Sequence, residues 1–502
     1  MDRSTEQVTV APEPPEQAVE EQGRSKSKSK AGTKPETDVN ARAAASEGAE
    51  TNAGDAEGSP KNCGDRAESK PEEPEIEVPE RISVNEFQKK RQAELYELGA
   101  SLGLRVGGAR SKHQLVFEIL TFYGRRGTVI EFEGIIEIGK DGCGFIRDPL
   151  YNFSPNQDDI WVAPGVLRKT GLQSGQQLSG TARVPNKNKE KWLSLATISH
   201  VEGVDYDAWE APTAFDKLTA MFPKDRIILE NSKLQSISAR AVDLVAPLGK
   251  GQRGMIAAPP RGGKTILLKE IARSIKANHP EIELMVLLLD ERPEEVTDFE
   301  ETLGAAVFSS TFDEAAPRHA QIAEVVMERA KRLVEMGKDV VVLLDSLTRL
   351  ARGYNRLQGG KGPTGSGGLD QRALQRARKF FSIARNVEEG GSLTILATAL
   401  IETDSRMDEI IFEEFKGTGN MEIHIDRELA EKRVYPAIHV LKSATRKDDM
   451  LYHPDEFKRI ATLRRQMAQL PAGEAMEVLV KNLKRTNSNP ELLLSGLKVD
   501  LR

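Results

Sequence analysis

The stretch AAPPRGGKTILL, residues 257–268, ends in a Gly-Lys-Thr sequence that suits a phosphate-binding loop. Such a loop directs backbone N–H groups at anionic oxygens from the start of a helix, with a lysine for the outer phosphates and a hydroxyl for the shell of a magnesium ion. The residues that supply these groups are Gly262, Gly263, Lys264 and Thr265. Ala258 stands where the pattern G-x-x-x-x-G-K-[ST] has its first glycine, but alanine is the smallest substitute. The alternative interpretation is a glycine-rich turn that binds no phosphate.

Acidic residues that hydrolysis of a nucleotide would need follow two other apolar runs. Asp345 ends VVVLLDS, where a carboxylate can hold the magnesium shell, and Glu291 lies in LLLDERPEEV, where it can orient and deprotonate an attacking water. Taken alone, either carboxylate could be a helix N-cap or a solvent-facing charge. Together with the phosphate loop they predict a nucleotide hydrolase, with ATP and Mg²⁺ as the expected ligands.

The elements that must position these residues follow from the apolar pattern. GMIAA, LMVLLLD, VVVLLDS and LTILATAL are almost continuously apolar, which is typical of strands buried on both faces. Amphipathic helical segments alternate with them. The pattern predicts an α/β domain with a parallel sheet covered by helices on both faces, and the carboxyl ends of its strands place the acidic residues beside the phosphate loop.

A different pattern covers residues 128–203, where short β-rich pieces are separated by glycines. This spacing predicts a small barrel of the OB type. Its segment GCGFIR, residues 142–147, is similar to the GFGFI strand of cold-shock RNA-binding barrels, in which aromatic rings stack on bases. Cys143 departs from that strand because an aromatic residue is usual there.

Aromatic residues elsewhere in the barrel favour RNA binding over a purely structural role. Phe145 and Trp161 could simply fill the barrel core. However, Trp161 and Trp192 lie on two other strands beside Asp159, Glu190 and Lys191, a composition suited to a base pocket.

The sequence before the barrel changes character at about residue 80. Residues 1–80 contain no Phe, Trp, Tyr or Leu, and we expect a disordered tail. Residues 81–127 predict a small helical module, in which Leu115, Ile119 and Phe122 share one face. Its basic residues, Arg125 and Arg126 among them, could contact phosphates, but such charges are more often simply solvated.

Charge and cysteine content narrow the functional classes. The formal net charge of -6 gives no global basic signature, so nucleic-acid contacts must come from local patches. The two cysteines, Cys63 and Cys143, have no metal-ligand spacing and fit a reducing compartment. No run of about 18 apolar residues is present. The expectation is a cytoplasmic protein with no membrane contact.

Beyond these inferences, the chain resembles the Rho family of bacterial transcription termination factors over residues 82–470. The resemblance rests on the barrel and on GKGQRGMIAAPPRGGKT, DERPEEVTDF, LLDSLTRLARGYN, the long segment ARNVEEGG…ELAEKR, and SATRKDD. It implies a homohexameric ring that loads on C-rich unstructured RNA, translocates 5′ to 3′ by ATP hydrolysis and displaces the RNA from RNA polymerase. RNA polymerase and Nus-type elongation factors are the implied partners.

The changes of pattern along the chain divide it into domains, and the resemblance implies a set of ATP-site residues. The division comprises a tail (1–80), a helical module (81–127), an OB or cold-shock-like barrel (128–203), a linker (204–240), a RecA-like ATPase domain (241–450) and a helical extension (451–502). The implied ATP contacts are Gly249, Lys250, Gly251, Gln252, Arg253, Gly254, Arg261, Gly262, Gly263, Lys264, Thr265, Ile266, Arg292 and Tyr435, the last stacking on adenine. Glu291 and Lys264 would act in catalysis, Thr265 and Asp345 would hold Mg²⁺, Arg446 would be an arginine finger for the neighbouring subunit, and Arg433 a second interface arginine.

Two RNA sites are implied as well. The primary site maps onto Gly142, Cys143, Gly144, Phe145, Ile146, Arg147, Asp159, Ile160, Trp161, Glu190, Lys191 and Trp192. The secondary site in the pore maps onto Thr364, Gly365, Ser366, Gly367, Gly368 and Arg406. The sequence departs from the family there, because Pro363 replaces a usual cation, Lys361 comes two residues earlier, and Asp404 replaces a common glycine.

Two other classes of function stay open at this point. One is another hexameric ATPase of the same fold, such as a rotary ATP synthase subunit or a DNA recombinase, against which the aromatic barrel argues. The other is an RNA-binding protein with a silent phosphate loop, against which Lys264, Thr265, Glu291 and Asp345 argue.

Overall fold

The computed structural model describes residues 77–105, 110–186, 190–304, 306–358 and 365–498. Cys63, Lys361, Pro363, Thr364 and almost all of the predicted tail lie outside these ranges. In the part of the chain that is described, no helix is both long and apolar enough to span a bilayer.

The amino-terminal module is helical, with one short strand. Its elements are β1 (Arg81–Ser83), α1 (Val84–Lys89), α2 (Gln92–Ser101) and α3 (Lys112–Gly124). Ser111 caps α3, since its hydroxyl accepts a hydrogen bond from the backbone N–H of Gln114. Leu115 and Ile119 of α3 are fully buried against α1 and α2, whereas Phe122 is half-buried.

A small barrel follows the helices. Its elements are β2 (Val129–Ile138), β3 (Gly144–Arg147), β4 (Ile160–Val162), α4 (Pro164–Thr170), β5 (Gln177–Arg183), β6 (Leu193–Val201) and β7 (Val204–Asp205). The strands are ordered β2-β3-β4-β6-β5, and β5 pairs again with β2, which closes the barrel. A Cβ atom on Gly134 of β2 would lie 2.8 Å from the carbonyl oxygen of Arg147, so the close approach of β3 requires a glycine there.

The carboxyl-terminal half is an α/β domain built on a nine-stranded sheet. Its strands and those of an adjoining hairpin are β8 (Ala220–Met221), β9 (Arg226–Ile227), β10 (Leu248–Gly249), β11 (Arg253–Ala258), β12 (Glu283–Glu291), β13 (Ala306–Thr311), β14 (Asp339–Asp345), β15 (Arg385–Val387), β16 (Ser392–Leu400), β17 (Met421–His424) and β18 (Ala444–Thr445). The main order is β13-β12-β14-β16-β11-β17-β18. All neighbours pair in parallel except β18.

Helices cover both faces of this sheet. They are α5 (Ile237–Val245), α6 (Lys264–Asn278), α7 (Pro293–Leu303), α8 (Ala316–Glu335), α9 (Leu347–Gln358), α10 (Gln371–Ser382), α11 (Arg406–Lys416), α12 (Arg427–Glu431), α13 (Pro454–Met467), α14 (Ala472–Arg485) and α15 (Asn489–Ser495). Alternate residues of β14 enter two separate cores: Val341 and Leu343 pack with α5 to α7, and Val342 packs with α8 to α11. This explains why the strand is apolar throughout.

The segment predicted as a linker, 204–240, is more structured than a simple connection. It contributes β8, which pairs with β15 of the large sheet, and β9, which pairs with β10. It also contains the beginning of α5. The barrel is therefore joined to the α/β domain by residues that belong to the sheets of that domain.

Candidate functional site

The phosphate loop connects the carboxyl end of β11 to the beginning of α6. Gly263 has φ +89, in the left-handed region that favours glycine, and a Cβ atom on Gly262 would lie 2.9 Å from Ile425. Ala258 is fully buried at the end of β11, so its methyl group lies in the core of the domain. The departure from the glycine pattern is therefore accommodated by packing.

Lys264 lies between the two predicted carboxylates. Its Nζ is 2.9 Å from Oε1 of Glu291 and 2.7 and 2.6 Å from the two carboxylate oxygens of Asp345. Burial alone would lower the pKa of Lys264, but the charges of Asp345 and Glu291 raise it overall. Burial, followed by the charge of Asp345, raises the pKa of Glu291 above its ordinary value. A carboxylate with a raised pKa is a better proton acceptor for an attacking water.

The donor set beside Lys264 fits a magnesium ion. Asp345 is fully buried and accepts a hydrogen bond of 2.7 Å from Oγ1 of Thr398, which holds its carboxylate beside Lys264, and Thr265 follows Lys264 in the chain. The described residues contain no group of three His, Cys, Asp or Glu side chains that could hold a metal. Mg²⁺ usually binds through one or two carboxylates together with phosphate oxygens, so this site needs no larger cluster.

Two further side chains belong to this site, although the sequence reasoning did not identify them. Arg349 forms an ion pair with Asp290, and its Nε is 3.6 Å from Oε1 of Glu291. Glu295 accepts a hydrogen bond of 3.4 Å from Oγ1 of Thr265. The available signal for Arg349 was its place in the first turn of α9, directly after the strand that ends at Asp345.

A cavity of about 500 Å³ opens beside the phosphate loop. Gly263, Ile266 and Tyr435 line it, and Ile266 and Tyr435 are 59% and 42% exposed, respectively. Exposed apolar surface around a cavity of this size suits the flat face of a base. The predicted adenine-stacking residue, Tyr435, thus lies close to the loop: its ring would be 3.3 Å from a Cβ atom on Gly263.

The predicted contacts at Gly249–Gly254 lie elsewhere. These residues precede or begin β11, whereas the phosphate loop follows its carboxyl end. Lys250 pairs with Asp339 at the amino end of β14, at 2.7 Å. Because a six-residue strand spans about 17 Å, the structure does not bring this segment to the phosphate loop of the same chain. Arg261 lies in the phosphate loop and Arg292 follows the last residue of β12, and both are exposed.

The two predicted interface arginines are exposed. Arg446 follows β18 and lies at the amino end of β11, close to Arg253. Burial lowers the pKa of Arg253, and the positive charge of Arg446 lowers it further. It therefore lies away from the phosphate loop of its own chain. Arg433 has φ +59 and lies two residues before Tyr435, on the phosphate-loop side.

Three aromatic side chains form a half-exposed cluster on the barrel. Phe145 of β3 is opposite Trp161 of β4, and the Phe145 and Trp192 rings meet edge to face with centroids 5.5 Å apart. All three are half-buried, whereas the barrel core is made of residues such as Ile136 and Leu178. The cluster is therefore not core filling, and its free ring faces can stack on bases.

Polar partners surround this cluster. Glu190 is held by Arg183 through two hydrogen bonds of 2.7 and 2.8 Å, which lower the pKa of Glu190 to about 2. Asp159 is buried, and this burial raises its pKa to about 7 despite Arg147, whose Nε is 3.3 Å away. Cys143 is a half-buried free thiol. Lys191 is exposed beside Trp192, as a cation for a phosphate would be.

The described part of the predicted pore site is compact. Gly365–Gly368 and Arg406 come together, because a Cβ atom on Gly367 would lie 3.4 Å from the backbone of Arg406. Asp404 is exposed and has φ +58. On the next helix, Asp408 accepts two hydrogen bonds from Arg352 of α9, at 2.8 and 2.6 Å. Since α9 begins two residues after Asp345, one helix connects the pore loop to the nucleotide site.

Comparisons with known proteins agree with this arrangement. Residues 238–445 match the ATP synthase alpha/beta family, nucleotide-binding domain. Residues 132–207 match the Rho termination factor, RNA-binding domain. The first match contains the phosphate loop and its carboxylates, and the second contains the aromatic cluster.

Several relatives align over most of their length. The chain is 53% identical over 427 residues to a protein of Akkermansia muciniphila named transcription termination factor Rho, covering 85% of this chain and 90% of that protein. It is 46% identical over 414 residues to the protein of that name from Cereibacter sphaeroides, covering 82% and 98%. It is 46% identical over 415 residues to the one from Aquifex aeolicus, covering 82% and 95%.

Proposed function

The chain belongs to the transcription termination factor Rho family and has that family's RNA-binding and ATPase domains; we propose that it works as a cytoplasmic homohexamer that releases transcripts from RNA polymerase. In this proposal the barrel captures unstructured, C-rich RNA, and ATP hydrolysis drives the strand through the pore. Nus-type elongation factors are the proposed further partners. The observation that carries the proposal is the contact of Lys264 with Glu291 and Asp345, in the same chain as an aromatic cluster that can hold bases.

Each side chain at the nucleotide site has a proposed task. Lys264 binds the outer phosphates, which removes its cation from Glu291 and leaves that carboxylate free to take a proton from water. Thr265 and Asp345 are the residues that would hold Mg²⁺, which when bound neutralises phosphate charge. Arg349 positions Glu291 through its contact of 3.6 Å. Tyr435 and Ile266 hold the base.

Coupling between hydrolysis and RNA movement is proposed to run through α9. The amino end of α9 follows Asp345, and Arg352 of α9 donates hydrogen bonds to Asp408. Asp408 also accepts a hydrogen bond of 2.7 Å from Thr403. Thr403 lies in the loop that carries Arg406. A movement of Asp345 at the carboxyl end of β14 would thus be transmitted through α9 to the loop proposed to contact RNA.

The exposed position of Arg446 supports an assembly in which subunits share active sites. The side chain cannot reach the phosphate loop of its own chain from the amino end of β11. An arginine finger stabilises the charge that develops on the transferred phosphate, and one supplied by a neighbour couples hydrolysis to the subunit interface.

The proposal is tested by ATP hydrolysis with poly(C), poly(U) or double-stranded DNA as the cofactor. We expect poly(C) to stimulate the wild-type protein most. Lys264→Ala should abolish hydrolysis while leaving RNA binding to the barrel nearly intact, and Lys458→Ala, which removes an exposed lysine of the same domain, should have no effect. Equal hydrolysis without RNA would contradict the proposal, and absence of hydrolysis in the wild type would favour an RNA-binding protein with a silent phosphate loop.

A further inference from the structure

Asn355 of α9 makes two hydrogen bonds with the backbone just before α10. Its Nδ2 donates to the carbonyl oxygen of Gly368 at 3.1 Å, and its Oδ1 accepts from the backbone N–H of Asp370 at 2.8 Å. The two bonds lie on either side of Leu369, which is buried. The side-chain amide therefore binds this backbone as the peptide group of a neighbouring strand would, through one donor and one acceptor.

The segment Gly365–Gly368 of the proposed pore site is joined to the same point. The N–H of Gly365 donates to the carbonyl oxygen of Leu369 at 2.8 Å, which closes the segment into a turn. Gly367 and Gly368 have φ +70 and +77, in the left-handed region. Because glycine has more conformational freedom than any other residue, a segment this rich in glycine needs contacts with other elements to keep one shape.

The segment also packs against the second part of the proposed pore site. A Cβ atom on Gly367 would lie 3.4 Å from the backbone of Arg406, the first residue of α11. Arg352 comes three residues before Asn355, on the same face of α9, and it holds α11 through two hydrogen bonds to Asp408. Helix α9 thus holds both parts of the site, the first through Asn355 and the second through Arg352.

We propose that Asn355 is a positioning residue for single-stranded RNA in the pore, because its amide fixes Gly365–Gly368 next to Arg406 so that one strand meets both. Three of the four residues in the segment are glycines, whose backbone N–H groups an RNA phosphate can approach closely. Without the two bonds the segment takes several shapes, and RNA must order it on binding, which weakens the interaction. The inference rests on the proposed function of the pore site.

Asn355→Ala is the direct test, because alanine removes both hydrogen bonds and is the best helix former, so α9 is not weakened. ATP hydrolysis by the full-length protein is measured against the concentration of the shortest polycytidine chain that stimulates the wild type. A short chain is used because a long one bound to the barrel would raise its own effective concentration at the pore. The concentration for half-maximal hydrolysis should rise about five- to thirtyfold, the loss expected for one or two hydrogen bonds.

Three further measurements separate positioning from a general effect on the fold. The KM for ATP at saturating RNA, the binding of a labelled C-rich RNA without ATP, and the urea midpoint of unfolding should all be unchanged in Asn355→Ala. Asn487→Ala is the matched control, because it removes an exposed amide from the helical extension, and it should change none of these quantities.

A double variant with Arg406→Gln tests the link between the two parts of the site. If Asn355 acts by holding Gly365–Gly368 beside Arg406, Asn355→Ala should have a smaller effect in the Arg406→Gln protein than in the wild type, because both substitutions act on the same bound strand. Effects that simply multiply would mean that the two residues act independently.

The outcomes distinguish the inference from the function on which it rests. If RNA activates Asn355→Ala at the wild-type concentration, or if the two effects multiply, the positioning role is refuted and RNA-stimulated hydrolysis stands. A matching loss of RNA binding without ATP, or a lower urea midpoint, also refutes the role, because the substitution then acts through the fold as a whole. Failure of every polycytidine chain to stimulate the wild type refutes both proposals.

Discussion

The contact between the barrel and the ATPase domain includes a buried ion pair. Arg329 of α8 donates hydrogen bonds of 2.6 and 2.7 Å to the two carboxylate oxygens of Glu202, which follows β6. The Glu202 side chain is 3% exposed and also accepts from the backbone N–H of Gln177 at 3.0 Å. Arg329 reaches the carbonyl oxygen of Gly175 as well, at 3.3 Å. The pair therefore joins two segments of the barrel, at residues 175–177 and at Glu202, to one helix of the sheet domain.

Arg329→Met should loosen this contact strongly. The substitution leaves the carboxylate of Glu202 buried with one remaining donor, and removing one partner of a buried pair costs about 3–5 kcal/mol. Replacing both residues, in Arg329→Met with Glu202→Met, removes the stranded charge, and apolar replacement of a complete buried pair is often close to neutral. We expect the double variant to be more stable than Arg329→Met.

Tryptophan fluorescence makes the experiment selective for the barrel. The chain has three tryptophans, Trp161, Trp192 and Trp209, and all lie in the barrel or just after it. With an m-value of about 2 kcal/mol per molar urea, Arg329→Met should shift the fluorescence midpoint down by about 2 M. Arg81→Met is the control, because it breaks an exposed ion pair with Glu131, and such pairs contribute about 0–1 kcal/mol.

The double-mutant cycle decides whether the reasoning holds. If the pair acts as described, the effects of the two single substitutions exceed the effect of the double by more than 1 kcal/mol. Additivity within about 0.5 kcal/mol would refute the argument, since it would mean that Arg329 and Glu202 contribute independently. A midpoint for Arg329→Met within the range of Arg81→Met would refute it too.

Two further predictions follow from the sites. Burial raises the pKa of Asp159 to about 7 from an ordinary value of 3.8, so the folded barrel holds this proton more tightly than the unfolded chain does. The contribution of this group to the free energy of unfolding is complete below pH 3.8 and is lost as the pH rises to about 7. Urea unfolding at pH 5 and pH 8 should therefore show a smaller loss of stability between the two pH values for Asp159→Asn than for the wild type. An equal loss would contradict this assignment. If Arg446 acts on the neighbouring subunit, the Arg446→Ala and Lys264→Ala proteins, each inactive alone, should regain RNA-dependent hydrolysis when they are mixed, because some interfaces then have both intact residues. Lys264→Ala mixed with Glu291→Gln is the control, and it should recover less when subunits exchange, because both substitutions lie in the same site. No recovery in the first mixture would contradict action in trans.

The nucleotide site was largely predictable because its parts are local. The phosphate loop is one short motif, and Glu291 and Asp345 end strands that are recognisable from their apolar composition. Parallel strands bring their carboxyl ends to one edge, which is why Lys264 meets both carboxylates. The same rule shows why Gly249–Gly254 are displaced, since residues before β11 lie at the opposite edge.

Features that depend on contacts between distant segments were not predictable. Glu202 and Arg329 are separated by 127 positions, and neither lies in a motif. The aromatic cluster could be predicted from composition, but the contacts of Asn355 could not, because they need α9 and the residues before α10 in one place. Asn355 is an ordinary helical residue in the sequence, and only the structure shows that its amide holds Gly368 and Asp370.

Asp404 stands where the family commonly has a glycine, and its effect on the backbone is separate from its effect on charge. Its φ of +58 lies in the left-handed region, which explains why a glycine suits this position. Aspartate tolerates that region better than most residues do, so the loop can keep its conformation with either residue. In the proposed pore site the substitution would therefore act through charge, because an exposed carboxylate two residues from Arg406 offsets the cation proposed to meet the phosphate backbone. In the proposed pore, Asp404 would weaken the electrostatic attraction for RNA. It does not alter the contacts that connect Asp345 through α9 to Asp408.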